Sequence, residues 1–89
     1  ERILYISGAN DGLLSYILNF ILQNGGLSKR SGDAYRVAKE SYIAGDIDYM
    51  AVRFILKDGT THPTVLYLPS KQASRVCSMT VQAKSQMGV

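Results

Sequence analysis

Gly12-Leu13-Leu14-Ser15-Tyr16-Ile17-Leu18-Asn19-Phe20-Ile21-Leu22-Gln23-Asn24 is the stretch on which the fold turns. Ser15, Asn19 and Gln23 recur at every fourth position and draw one narrow polar stripe along a helix, while eight apolar residues cover the rest of its surface. A surface helix of a small domain keeps nearly half its circumference polar. This one must therefore be covered on most sides, by its own domain or by a second chain. With few residues available for wrapping, the second chain is the preferred reading, and a central core helix is its rival. The ends agree with a helix: Asn10 or Asp11 can accept a hydrogen bond from the free N–H groups of the first turn, and Gly25-Gly26 can end it where a positive φ costs little.

Upstream, Ile3, Leu4, Tyr5 and Ile6 form a continuous apolar run from Arg2 to Ser7, closed by Gly8, which suits a strand in the middle of a sheet. Downstream, Gly26 to Gly32 has loop composition around Lys29-Arg30. Asp33 to Ile43 fits two patterns. Tyr35, Val37 and Ile43 share a strand face, whereas Ala34, Val37, Ala38, Ser41 and Tyr42 share a helical one. A strand is preferred, because a turn at Gly45-Asp46 would fold it back onto the next segment.

From Ile47 to Leu56, Met50, Val52, Phe54 and Leu56 alternate with Tyr49, Ala51, Arg53 and Ile55, which is strand periodicity. Asp58-Gly59 supplies a hairpin signal, and Thr64 to Leu68 is the return strand, with Pro63 at its start. After Pro69 a helix capped by Ser70, with Ala73, Val76, Cys77, Thr80 and Val81 on one face, is preferred to a strand, and a frayed tail runs from Ser85 to Val89.

Length bounds the rest. Eighty-nine residues make one small domain, residues 1–89, because such a chain buries only roughly 60–65% of its unfolded surface. With 46% hydrophobic and 19% charged residues it can repay the entropy of ordering, so it is globular. The expected fold is α+β: a two-layer sandwich with an antiparallel sheet of three to five strands and one or two helices packed on one face. The apolar run Leu13 to Leu22 is half of the roughly 20 residues that a bilayer-spanning helix needs, and it lacks the basic flank of a signal peptide. Glu1 in place of an initiator Met marks a processed form or an excised fragment, and the compartment stays open.

One cysteine excludes an internal disulfide, and a single histidine excludes the usual Cys/His metal cages. No motif surrounds His62 or Cys77 to suggest an activated nucleophile. Asp46 and Asp48 lack the spacing and glycine of a calcium loop. No catalytic, cofactor or metal residue is therefore assigned. The Gly8-Ala9-Asn10-Asp11-Gly12 loop lacks a Walker lysine and the spaced glycines of a dinucleotide fingerprint, so a capped turn accounts for it.

That loop, with Gly12-Leu13-Leu14 and Ile17 to Gly25, resembles the opening strand and helix of ACT-type ligand-binding regulatory domains. The chain lacks that family's usual proline before the glycine. It also has the Asp58-Gly59 hairpin where the family fold would place its second helix, so no ligand site is carried over.

The functional expectation is a non-enzymatic protein-protein interaction module or small subunit of an assembly, a homo-oligomer or a hetero-complex. It would associate through Leu13, Tyr16, Ile17, Phe20 and Ile21 together with some of the six tyrosines, since tyrosine is favoured at interfaces. The alternative is a small basic nucleic-acid-binding domain using Lys29, Arg30, Lys71, Arg75 and Lys84. Its support is the net charge of +3 and the three bases after Pro69 with no acids among them.

Overall fold

A computed structural model describes the backbone of residues 2–79 and 83–87 and the side chains of residues 3–78. Strand β1 spans Arg2–Ala9 and helix α1 spans Asp11–Gln23. A 3-10 turn at Lys29–Ser31 leads into helix α2, Asp33–Ala44. Strands β2 (Tyr49–Leu56) and β3 (Thr61–Pro69) form a hairpin, and helix α3 (Ser70–Met79) and strand β4 (Ala83–Met87) complete the described chain. The sheet order is β3-β2-β1-β4.

The α+β class is as expected, but the sheet is mixed. Strand β1 runs parallel to β2 and antiparallel to β4, and β2 runs antiparallel to β3. The parallel pair follows from the connection. Two helices lie between β1 and β2, and a helical crossover returns the chain in its original direction, where a hairpin would reverse it. The apolar run at Ile3 to Ile6 sits in the sheet interior, flanked on both edges.

Alternation sorts the strands into two faces. Leu4 and Ile6 of β1, Met50, Val52 and Phe54 of β2, and Leu66 and Leu68 of β3 form one face, and all are buried in a cluster with Ile17 and Ile21 of α1 and Ala73 and Val76 of α3. Ala9 joins them because the ladder shifts register between Ser7 and Ala9, where Gly8 takes a φ of 67°. Helices α1 and α3 therefore pack on the same face.

Helix α1 begins as its sequence indicates: the Asn10 carboxamide oxygen accepts from the Leu13 N–H at 2.9 Å. It ends through the Asn24 N–H, which donates to the Phe20 and Ile21 carbonyls, and the Gly26 N–H, which donates to the Ile21 carbonyl at 2.8 Å. These bonds satisfy carbonyls that the helix end would leave unpaired.

The segment Asp33 to Ile43 is helical, which corrects the strand reading and the hairpin at Gly45-Asp46. Gly45 adopts a left-handed conformation, φ 80°, and the Gly45 and Asp46 amides donate back to Tyr42 and Ser41. On the helix, Arg36 lies 3.6 Å from both Asp33 and Glu40, at the spacings where helical side chains meet. The face carrying Tyr35 and Tyr42 is held by Tyr67 of β3, with ring centroids 5.5 and 5.1 Å apart. Tyr67 alternates with Leu66 and Leu68, so α2 lies on the sheet face opposite α1 and α3; the expected one or two helices on one face are corrected to three among the described residues, two on one face and one on the other. Tyr67 also exchanges backbone hydrogen bonds with Leu27, of 2.8 and 3.0 Å, which cover part of the outer edge of β3.

The hairpin reading holds, with Gly59 at φ 88° and the Leu56 N–H donating to the Thr60 carbonyl at 2.8 Å. Strand β3 starts earlier than read, so Pro63 lies inside it, within the stretch where the register against β2 shifts. The helix after Pro69 is present as α3, although Thr80 and Val81 lie outside the described residues. The tail is corrected in part: Ser85 to Met87 belong to β4, where Leu4 pairs with Ser85, and Gly88 and Val89 lie outside the described residues.

Two expected outcomes test this frame. A Cβ at Gly26 would stand 2.6 Å from the Ile21 carbonyl oxygen, so Gly26→Ala is expected to destabilise the chain by about 1–3 kcal/mol in urea unfolding; a change within about 0.5 kcal/mol would contradict this packing. In the hairpin, Asp58 Oδ1 accepts from the Thr60 hydroxyl at 2.6 Å and from the Thr60 N–H at 2.9 Å, and these bonds hold its carboxyl below the usual carboxylate range. A lowered folded pKa contributes stability that is present above the unfolded value and is lost as pH falls through the folded one. The stability difference between the chain and Asp58→Asn should thus be greatest near neutrality and shrink below about pH 4, and a pH-independent difference would contradict it.

Candidate protein-binding groove

Each turn of α1 places its residues at about 100° per step, and the buried pair Ile17 and Ile21 fixes which side faces the sheet. Leu14, Leu18 and Leu22 then lie along one flank of that pair, and Leu13 and Phe20 along the other. Tyr16 stands on the far side among Ser15, Asn19 and Gln23. Exposure follows this order. Ile17 and Ile21 are fully buried, Leu13, Leu14, Leu18 and Phe20 pack partly against the core, Leu22 is 38% exposed and Tyr16 is 62% exposed.

The flank bearing Leu14, Leu18 and Leu22 borders a surface groove of about 340 Å³, whose remaining lining is Ser28, Lys29, Arg30, His62 and Thr64. The three leucines run at i, i+4 and i+8, about 12 Å along the helix axis. The opposite wall is held locally. Ser28 is buried, its hydroxyl accepts from the Arg30 N–H, and its own N–H donates to the Ser31 hydroxyl, both at 3.2 Å. This reciprocal pair fixes the short turn that carries Lys29 and Arg30. Both basic residues are exposed, and neither has an ion-pair partner among the described residues. The floor toward β3 is fixed by His62, whose Nδ1 accepts from the Thr64 N–H at 3.0 Å.

The groove thus has an apolar wall and a basic wall, and no Asp or Glu lines it. It joins residues that the sequence reading assigned to rival hypotheses: Lys29 and Arg30 from the nucleic-acid set border the same helix that was read as a protein interface. The other bases lie elsewhere. Lys71 and Arg75 are exposed one turn apart on α3, and Lys84 is on β4, on the edge of the sheet opposite β3, with its side chain outside the described ones.

Of the interface set, Ile17 and Ile21 serve the chain's own core, so they have no surface left to give to a partner. Tyr35, Tyr42 and Tyr67 are likewise engaged with one another, leaving Tyr16 as the strongly exposed tyrosine among the described residues. Leu14, Leu18, Leu22, Ser28, His62 and Thr64 were not singled out from sequence as a group. The four-residue period of the leucines was visible, but which flank of an almost wholly apolar helix stays open depends on the sheet beneath it.

A second apolar surface lies on α2, where Val37 is 53% and Ile43 71% exposed. Val37 borders a trough of about 440 Å³ with Ala34, Ser41, Ile47 and Tyr49. Cys77 on α3 packs partly against the core. Among the described residues no three His, Cys, Asp or Glu side chains come together to hold a metal ion, and no helix is long and apolar enough to cross a membrane. No protein-family model, curated protein or solved structure matches this chain.

The division of α1 into a core side and a free side gives a direct test. Ile17→Ala is expected to cost about 2–5 kcal/mol in denaturant unfolding, whereas Tyr16→Ser stays within about 0.5 kcal/mol. Equal costs for the two would mean that the helix is seated differently.

Proposed function

We propose that this chain is a non-enzymatic protein-protein interaction module, or a small subunit of an assembly, that takes a partner chain along the open flank of α1. The carrying observation is that Leu22 and the half-buried Leu14 and Leu18 still border a surface groove after Ile17 and Ile21 have closed the core beneath them. An apolar row of this kind, rimmed by polar residues, is the feature that separates interaction surfaces from singly scattered exposed hydrophobes. The frame supports this role: α1 and α3 back the same sheet face, so the binding row sits on a rigid element. The interface drawn in this way is the leucine row: Ile17 and Ile21 belong to the core, and Leu13, Phe20 and Tyr16 stand on other sides of the helix, outside the groove.

The test has two stages on the folded chain. Absolute mass is measured by light scattering over a concentration series at low and high salt, and a random-peptide display selection is run on the same protein. The expected result is a salt-resistant oligomer, or selected peptides, in either case lost in Leu22→Gln while the fold is retained. A monomer at every concentration that selects no peptide sensitive to Leu22→Gln would overturn the proposal.

A further inference from the structure

We infer that the occupant of the α1 groove is an acidic amphipathic helix of a partner protein, with its apolar anchors seated on Leu14, Leu18 and Leu22 and its carboxylates facing Lys29 and Arg30. This rests on the reading of the chain as an interaction module and adds the chemistry of the partner.

Two properties of the groove select this occupant. The first is charge: the basic wall carries Lys29 and Arg30, no acid lines the groove, and neither base is paired with an acid among the described residues. Two cations held beside an apolar row favour a partner carrying both features and disfavour a cationic helix by like-charge juxtaposition. The second is shape. The apolar wall is a ridge of every fourth residue, inclined to the axis of α1, and ridges of this kind interdigitate with the i, i+3/i+4, i+7 anchors of a partner helix crossing at an angle. An anionic lipid or fatty acid shares the same two chemistries but needs an enclosed site that covers most of its chain. Here Leu22 is 38% exposed, so the row is not enclosed to that degree, which favours a helix lying across it. A nucleic acid would use the two cations but leave the leucine row without a counterpart.

Local hydrogen bonds fix the form of the groove. The Ser28 and Ser31 exchange holds the basic turn, and the bond from the Thr64 N–H to His62 Nδ1 holds the β3 side. A preformed groove loses little ordering entropy on binding.

The experiment uses fluorescence anisotropy with the whole chain and three synthetic probes: a helical peptide with leucines at i, i+4 and i+7 and glutamates at its flanking positions, the same peptide with lysines in place of the glutamates, and a scramble of the acidic peptide. The acidic helix should bind about tenfold or more tightly than the lysine version, and should lose about tenfold in the double variant Lys29→Glu, Arg30→Glu, which changes exposed side chains and leaves the fold in place. Leu22→Gln should weaken it independently of salt. Equal binding of the acidic and basic helices, both lost in Leu22→Gln, would overturn the acidic-partner inference while leaving the module reading standing. Failure of every peptide to bind would also overturn the inference, and the module reading would fall with it only if the mass and display measurements fail as well. Displacement of the acidic helix by dodecanoate or by a thymidine oligonucleotide that binds more tightly, with the same dependence on Lys29 and Arg30, would overturn it in favour of an anionic amphiphile or a nucleic acid.

Discussion

Ile17 and Ile21 press on the sheet face formed by the parallel strands β1 and β2, where Leu4, Ile6, Val52 and Phe54 are all closed to solvent. That contact orders the rest. A parallel pair needs a crossover, the crossover needs a helix with a face apolar enough to seat on the strands, and α1 supplies one. Seating it also decides which surface of α1 remains for another molecule. Helix α3 extends the same layer with Ala73 and Val76, and the β2-β3 hairpin widens the sheet beneath it. On the other face, α2 is fastened through the rings of Tyr35 and Tyr42 on Tyr67.

Much of this was legible where a local pattern and its end signals agreed. Asn10 before an apolar helix, Gly25-Gly26 after it, and Asp58-Gly59 between two alternating runs each specify backbone geometry by themselves. Asp33 to Ile43 was not legible in the same way, because its apolar residues satisfy both periods. The deciding features are the left-handed Gly45, the ion pairs around Arg36 and the tyrosine contacts across to β3, and the last of these joins residues 25 or more positions apart. The strand at Ala83–Met87 is polar at Lys84, Ser85 and Gln86, and nothing in that run announces that β1 offers it a free edge. Parallel pairing escaped for the same reason, since direction follows from whether the connection is helical.

The surface of α1 shows the limit of reading a helix in isolation. Its nearly continuous apolar coat pointed to contact on most sides, and two alternatives, wrapping by its own domain or cover by a second chain, stood open. Each accounts for part of the helix. The fold uses Ile17 and Ile21 completely and Leu13, Leu14, Leu18 and Phe20 in part, and it leaves Leu22 and Tyr16 outside. The narrow polar stripe was a true outer face, and the flank beside it borders a groove that Lys29 and Arg30 of the adjoining turn also line. Basic residues dispersed in sequence therefore separate in space into one pair that borders an apolar row and others on α3 and β4.

The most direct measurement of this arrangement is methyl NMR of the monomeric chain with a soluble paramagnetic probe added. The account requires strong broadening at Leu22, partial broadening at Leu14 and Leu18, and protection at Ile17 and Ile21. Broadening of Ile17 and Ile21 comparable to that of Leu22 would contradict it, since the helix would then not be closed on its own sheet and the groove beside it would not exist in this form.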